Sequence, residues 1–388
     1  MAAETILAVT AALLAWTYIL YPLAVISAAR LKKRRKPFSP VAPESLPSVT
    51  LVMSLYNEKE VAEKKIRSML ASDYPDDKLD FIVGSDGSTD GTGAVVAAMA
   101  AINPHIQVII NAERRGKAAM LNELAIRAKG EILVVTDANV IFTPSTVRNL
   151  AEGFADPRTG LCDATVHPLS PADTGITRQE IMYSRFETIL KRAEGDLWGA
   201  MPGPYGGCYA VRRKLFPLLP ENILVDDLYA GLTVLKENYM AFNRPDAVVY
   251  EDTQPDMFGQ FRRRIRIAAG SFQNLFRFGL SFSRRPGVVF AFLSHKIMRW
   301  LTPLLMMLFF MTTIILSGHS DLYFCLTAVQ LIFIILSALD LALDRKGKKL
   351  LFQRYVTQFL LMNAALAAGF VKAIRGIENG IWEPTKRV

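Results

Sequence analysis

Four short acidic segments and one basic segment hold the residues best suited to chemistry in this chain: Asn57-Glu58, Asp86 at the head of Asp86-Gly87-Ser88-Thr89-Asp90, Asp137-Ala138-Asn139, Asp226-Asp227, and Gln260-Phe261-Arg262-Arg263-Arg264. Clustered carboxylates raise one another's proton affinity, so several of them in one place need a counter-charge or N–H donors. A divalent cation carrying a diphosphate would supply one, because Mg2+ is commonly held by one or two carboxylates plus substrate phosphates. Adjacent acids such as Asp226 and Asp227 suit a general base, since like-charge repulsion lifts one of the pair toward neutrality, and they equally suit an N-cap followed by a first-turn acid at a helix start. Arginines spaced along one segment suit phosphate, which a guanidinium can grip with two parallel hydrogen bonds.

Apolar runs precede these segments and imply what positions them. Residues 49–55, 81–83, 106–110 and 132–136 read as strands, and 60–71, 91–101 and 117–129 as helices, the last closed by Gly130. Such β-α-β-α alternation builds a mostly parallel sheet covered by helices, and sheets of that kind take ligands at the carboxyl ends of their strands. Asn57-Glu58, Asp86 and Asp137 all fall at such ends. Their bland roles are helix caps and turns, and on position alone Asn57-Glu58 fits a cap as well as a ribose contact. Asp86 can accept the N3–H of a uracil or simply hold a turn, and Asp90 suits the start of the following helix. Lys117, at the start of a helix after Arg114-Arg115-Gly116, suits an anion near helix N–H groups. The sequence lacks the G-x-G-x-x-G of a dinucleotide site.

The order of these motifs resembles the family 2 glycosyltransferases, specifically the membrane-embedded kind that make exopolysaccharides, chitin-like oligomers, hyaluronan and cellulose. The resemblance runs from the first strand near Val49 to Trp382-Glu383-Pro384-Thr385. It implies an α/β fold of the GT-A type, a nucleotide-sugar-binding domain with a mostly parallel sheet, plus transmembrane helices at both ends. By resemblance Asp227 is the base of an inverting transfer, with Asp226 beside it. Asn57, Glu58, Asp86, Lys117 and Asp137 bind the UDP-sugar donor, and Asp137 with Asn139 holds Mg2+ or Mn2+. Gln260, Arg263 and Arg264 stand where processive synthases have Q-x-x-R-W, and hold the acceptor or pyrophosphate. Gly206, Gly207 and Tyr209 match an acceptor-site segment that Trp198 would join, and Trp382 belongs to a tail found in relatives. Two positions depart from the pattern: Asn139 replaces an acid, and Arg264 replaces an aromatic that would stack on a sugar ring.

Composition places this domain at a membrane. The chain has 388 residues, 51% hydrophobic, and the apolar excess lies at its two ends. Residues 6–29 are long enough to span a bilayer, and basic residues from Arg30 to Lys36 follow at once, which puts the N-terminus outside and the central domain in the cytoplasm. Residues 301–316, 322–343 and 352–371 are further candidates, with 286–300 as an interfacial helix. If all four segments span, the basic C-terminal tail falls outside, against the charge rule; either the last segment is re-entrant or the weak C-terminal charge bias is overridden. The resulting division is 1–29 transmembrane, 30–47 linker, 48–285 catalytic, 286–300 interfacial, 301–375 transmembrane and 376–388 tail. The net charge of +9 is concentrated near the membrane segments and in Arg262–Arg266; with no recognition motif beside it, anionic lipid and pyrophosphate account for it and nucleic acid does not. Cys162, Cys208 and Cys325 have no metal-ligand spacing and read as free thiols. The expectation is an integral enzyme of the bacterial inner (plasma) membrane that moves a sugar from a UDP-sugar to a lipid-linked, polyprenyl-type or glycan acceptor in polysaccharide biosynthesis. The alternative is a processive synthase that polymerises and translocates its glycan.

Overall fold

Strand β1 (Val49–Leu55) is apolar on both sides, as a central parallel strand must be. Leu51, Met53 and Leu55 enter one core layer with Ala62, Ile66 and Met69, and Val52 enters the other with Met120, Leu121 and Leu124. The computed structural model describes residues 1–32, 41–169, 175–251, 257–344 and 353–381. The sheet continues with β2 (Leu79–Asp86), β3 (Ile106–Asn111), β4 (Ile132–Thr136), β5 (Val140–Phe142), β6 (Thr159–Pro168), β7 (Cys208–Arg212) and β8 (Met240–Glu251). Its order is β3-β2-β1-β4-β7-β6-β8-β5. β3, β2, β1 and β4 run parallel, β6 and β8 pair parallel, and β7 and β5 enter antiparallel.

The helices Lys59–Leu70 and Thr92–Ala101 cover one face, and Lys117–Arg127 covers the other. That third helix lies close because β2 carries a glycine beneath it: a Cβ on Gly84 would collide with the Met120 sulfur. The expected strand over 81–83 extends to Asp86, so Asp86 ends the strand rather than sitting in a loop beyond it. β5 to β8 escape the apolar-run reading. β5 has three residues, and β6 and β8 carry buried polar groups, among them Asp163, Asn243 and Arg244. Cys162 and Cys208 are buried and Cys325 is exposed, and none of the three forms a disulfide among the described residues.

Among the described residues, three helices are long and apolar enough to cross a membrane: Ala2–Leu31, Asp321–Asp344 and Gln353–Arg375. Pro286–Trp300 and Thr302–Leu316 pass the same test as a pair, bent by 59°. The helix Gln353–Arg375 packs along Met257–Phe278. Gly369 lets the backbones close, since a Cβ there would collide with the Ala268 Cβ, and the Phe272 and Phe370 rings meet edge-on at 4.9 Å. Small residues allow such close helix approach, and each aromatic pair adds about 0.5–1.5 kcal/mol beyond its burial. After this helix the chain returns to the catalytic domain: Asn222 Nδ2 donates to the Ile377 carbonyl at 3.0 Å, and Ile381 lies 3.4 Å from where a Gly116 Cβ would stand. Residues 377–381 therefore pack against the catalytic domain; the helix Gln353–Arg375 is unbroken, and the bend that a re-entrant loop would need falls instead between Pro286–Trp300 and Thr302–Leu316. Trp382 and the rest of the tail, residues 33–36 of the basic run, and the loop 345–349 lie outside the described residues. Lys32 is described, and its ammonium caps the helix Gly175–Trp198 by donating to the carbonyls of Asp196 and Leu197 at 3.1 and 2.9 Å.

Candidate active site

The carboxyl ends of β1, β2 and β4 converge with the start of the helix Asp226–Lys236. At β2, the buried Asp86 accepts hydrogen bonds from the backbone N–H groups of Arg115 (2.8 Å) and Gly116 (2.7 Å). The carboxylate thus fixes the loop leading into the helix Lys117–Arg127. Gly87 makes the close approach possible with a left-handed backbone, φ 64°, where a Cβ would stand 2.5 Å from the Arg114 nitrogen. Arg114 in turn lies over the Tyr56 ring at 3.6 Å.

Asn57 also has a left-handed backbone, φ 52°, a conformation that asparagine tolerates better than most residues. Its side-chain oxygen accepts from the Thr89 N–H at 2.8 Å, and the Glu58 N–H donates to Thr92 Oγ1 at 2.9 Å. Asp90 accepts from the N–H groups of Lys59 and Thr92. Burial raises its carboxyl slightly, but the hydrogen bonds from Thr92 and Lys59 leave it below its ordinary pKa.

Lys117 joins the two acidic centres. Its ammonium is 2.9 Å from Asp137 Oδ1 and 3.4 Å from Asp226 Oδ2. Burial opposes the lysine charge, yet Asp137 and Asp226 hold its pKa above the ordinary value. Burial would likewise raise the Asp137 carboxyl, and Lys117 holds it down. Burial and the adjacent Asp226 push the Asp227 carboxyl up to about 6. Asp227 is packed against Gly206, where a Cβ would lie 2.6 Å from Oδ2. A second glycine, Gly207, leaves room for the Tyr205 hydroxyl, which a Cβ there would meet at 2.5 Å.

Tyr209 does not present its ring to a sugar. It points into the core from β7, fully buried, and its hydroxyl has no hydrogen-bond partner among the described residues. Burial and then the charges of Asp226, Asp227 and Asp137 raise its pKa well above the ordinary range. Alternate residues of a strand face opposite sides, and the sequence gives no sign of which side Tyr209 takes. Trp198 also turns away from the site, packing against Gly287 and the Phe290 ring.

Beside Tyr205 opens a cleft of about 230 Å³, lined by Asp163, Lys191, Tyr205, Glu251, Gln260 and Arg263 among others. Arg264 borders it with its guanidinium 5.5 Å from the Tyr183 ring centre. An aromatic ring from another helix, Tyr183, thus lines the cleft beside position 264. Arg266 turns toward the acids; burial and the neighbouring Arg263 lower its pKa to about 10 while Asp137, Asp226 and Asp227 oppose that fall. Its spacing from Arg263, one helical turn, was the available signal.

Three supporting residues carried no sequence signal. Lys65 is fully buried, donates to Thr136 Oγ1 and the Val140 carbonyl, and so brackets the Asp137-Ala138-Asn139 turn; burial pushes its pKa down to about 7. Asp163 accepts from the Tyr205 N–H at 2.7 Å and from Asn243 Nδ2 at 2.8 Å. Glu251 joins Tyr205 to Asn139. In sequence, Lys65 looks like one more surface lysine among Glu63, Lys64 and Arg67.

For a divalent cation, the donor set is hard oxygen. Asp226 Oδ2 is buried without a hydrogen bond, and the Lys117 ammonium already lies between it and Asp137. Among the described residues no group of three or more His, Cys, Asp or Glu side chains could hold a metal. The described site thus offers a cation the carboxylates of Asp137 and Asp226, and a cation there would need substrate phosphate to complete its shell.

The model of the family described as glycosyl transferase family 2 matches residues 50–218. A probable glycosyltransferase of Bacillus subtilis (strain 168) is 26% identical over 242 residues, covering 59% of this chain and 56% of the relative. Poly-beta-1,6-N-acetyl-D-glucosamine synthase of Staphylococcus aureus (strain COL) is 24% identical over 239 residues, covering 60% and 57%. The chain spans just over half the length of these curated relatives. A solved mannosyltransferase from Pyrobaculum calidifontis, in complex with GDP-Man and Mn2+, superposes with a TM-score of 0.72 at 27% identity, covering 95% of this chain and 99% of that one. The match marks residues 50–218 as a glycosyl transferase family 2 domain, and the superposition, with the eight strands of the sheet among the described residues and the acids at its edge, shows the GT-A fold.

Proposed function

We propose that the chain is a metal-dependent, inverting glycosyltransferase that moves a sugar from a nucleotide-sugar to a membrane-associated acceptor, with polyprenyl-linked acceptors as the first class to test. The observation that carries it is Asp227: a half-buried acid, its carboxyl near pH 6, beside the Lys117-bridged pair Asp137 and Asp226 and packed against Gly206, the neighbour of the cleft-lining Tyr205. A base in that range is ionised at neutral pH and still binds a proton well. As the acceptor hydroxyl attacks the anomeric carbon, its proton passes to the Asp227 carboxylate, the new C–O bond forms, and the bond from the sugar to the diphosphate breaks. Lys117, Arg263 and Arg266 hold the diphosphate by charge. Asp137 and Asn139 would hold a divalent metal together with substrate phosphate, and that metal would supply charge neutralisation for the departing diphosphate. Asp86 orders the loop 114–116 and accepts an N–H of the base with a remaining lone pair, while Asn57 and Glu58 border the ribose. Gln260, Arg264, Gly206 and Gly207 line the acceptor side; Trp382, expected from the sequence to act with them, lies outside the described residues.

The donor expected from sequence resemblance is a UDP-sugar. GDP-mannose is a second reading, favoured by the solved mannosyltransferase that matches nearly the whole chain and holds GDP-Man and Mn2+. A carboxylate accepts equally from uracil N3–H and guanine N1–H, so Asp86 does not separate them. The apolar helices support the membrane reading, with residues 286–300 at the interface and the catalytic domain facing the cytoplasm of a bacterial inner membrane. The test is nucleoside diphosphate release by the detergent-solubilised full chain, with Mn2+ or Mg2+, from UDP-GlcNAc, UDP-glucose and GDP-mannose, with a polyprenyl phosphate acceptor. Release from one donor that Asp227→Asn abolishes is the expected result. Release that survives Asp227→Asn, or that needs no metal, overturns the reading. Long polymer made without lipid acceptor selects the processive alternative.

A further inference from the structure

Glu251, the last residue of β8, touches three segments of the site at once. Its Oε2 accepts from the Tyr205 hydroxyl at 2.6 Å, its Oε1 accepts from Asn139 Nδ2 at 2.9 Å, and the Arg263 guanidinium stands 3.7 Å from Oε1. An ionised carboxylate only accepts hydrogen bonds, so it takes the NH2 end of the Asn139 amide. A planar amide held by its nitrogen turns its carbonyl oxygen away from that partner. We propose that Glu251 is a positioning residue that fixes the Asn139 amide with its oxygen outward, so that Asp137-Ala138-Asn139 offers a cation one charged and one neutral oxygen. The proposal rests on the reading of Asp137 and Asn139 as the metal-holding segment.

The pair also accounts for asparagine at a position where an acid was expected. A carboxylate at position 139 would stand at hydrogen-bond distance from Glu251, and two such groups cannot both stay ionised cheaply. Asparagine is then the partner that Glu251 demands, rather than a weakened half of an acid pair. Carboxylates that orient metal ligands from behind commonly change metal affinity 10- to 100-fold when lost.

Two measurements on the full chain in detergent test this. The first is a thermal-unfolding cycle in EDTA across wild type, Asn139→Asp, Glu251→Gln and the double variant. Asn139→Asp should lower Tm by about 4 °C, the size expected for a repulsion of this kind in a domain of ~230 residues. The double variant should recover to within about 1 °C of wild type, because the amide introduced at position 251 donates to the carboxylate introduced at position 139. Additive losses, or no loss in Asn139→Asp, overturn the pairing. The second is the Mn2+ concentration for half-maximal nucleoside diphosphate release. Glu251→Ala should raise it about tenfold or more, whereas Glu251→Gln, whose carbonyl still accepts from Asn139, should stay within about threefold of wild type. If the cycle shows coupling but Glu251→Ala leaves the Mn2+ requirement unchanged, the pair is structural only and the positioning role is refuted. If wild type itself shows no Mn2+ requirement, the positioning role falls with the metal reading, and a coupled cycle places the failure in that reading rather than in the pair.

Discussion

Replacing Gly206 with alanine tests whether the position of Asp227 depends on a missing side chain. The added Cβ would stand 2.6 Å from Asp227 Oδ2 and 2.9 Å from its Cγ, against an ordinary contact near 3.4 Å. Relieving the collision displaces the carboxylate by about 0.8 Å, and a misplacement of about 1 Å at a reacting group can cost on the order of 10²-fold in rate. Gly206 does not have the left-handed backbone of Gly203 or Gly199, so alanine there adds no backbone strain. Asp227 begins a helix whose Leu228, Ala230 and Leu232 are buried, so the side chain gives way before the backbone does. Gly206→Ala should therefore fold normally, keep its donor KM within about threefold, and lose between about 10- and 100-fold in kcat. The assay is steady-state nucleoside diphosphate release with saturating acceptor, beside thermal unfolding of the same preparation. A kcat within about twofold of wild type would refute the reasoning: either the carboxylate rotates away at no cost, or its position does not limit the reaction.

Three other expectations follow from the charges in the site. Because Asp227 must be ionised to act and its carboxyl sits near 6, kcat/KM should fall tenfold per pH unit below about pH 6, and a flat profile from pH 5 to 8 would exclude it as the base. The same shift has a stability sign: a carboxyl raised in the folded state favours folding below its unfolded pKa and loses that advantage as pH rises through about 6. Asp227→Asn should accordingly raise Tm by a few degrees at pH 8, from about 2–3 kcal/mol at most, with the gain gone near pH 4; a loss at pH 8 would contradict the burial argument. Lys117→Met leaves Asp137 and Asp226 facing each other without their cation, and should lower Tm in EDTA and cut donor kcat/KM at least tenfold; unchanged values for both would remove the bridge from the account. Arg266→Ala should raise donor KM about tenfold while Arg262→Ala, an exposed position, leaves it unchanged; equal effects would mean that the helix acts by net charge alone.

What this chain reveals without a structure is whatever depends on local runs and spacing. Largely apolar runs at 49–55, 106–110 and 132–136 read as strands, the first and last central and buried and the second at the sheet edge with Gln107 and Ile110 exposed, and acids at the ends of such strands fall on the ligand edge of the sheet. The two apolar ends, one backed by a basic run, announce a membrane by composition alone. Depth and direction are different, because they depend on partners remote in sequence. Lys65 sits in a charged stretch, and only its packing under β4 makes it a buried prop for the Asp137 turn. Tyr209 differs from an exposed aromatic only in the face of β7 on which it falls, which the antiparallel pairing with β4 decides. Asn139 and Glu251 are 112 residues apart, and nothing short of the β5–β8 pairing brings them within 2.9 Å. Motif types follow from local chemistry, but which atom of each faces the substrate follows from the register of strands that are strangers in sequence.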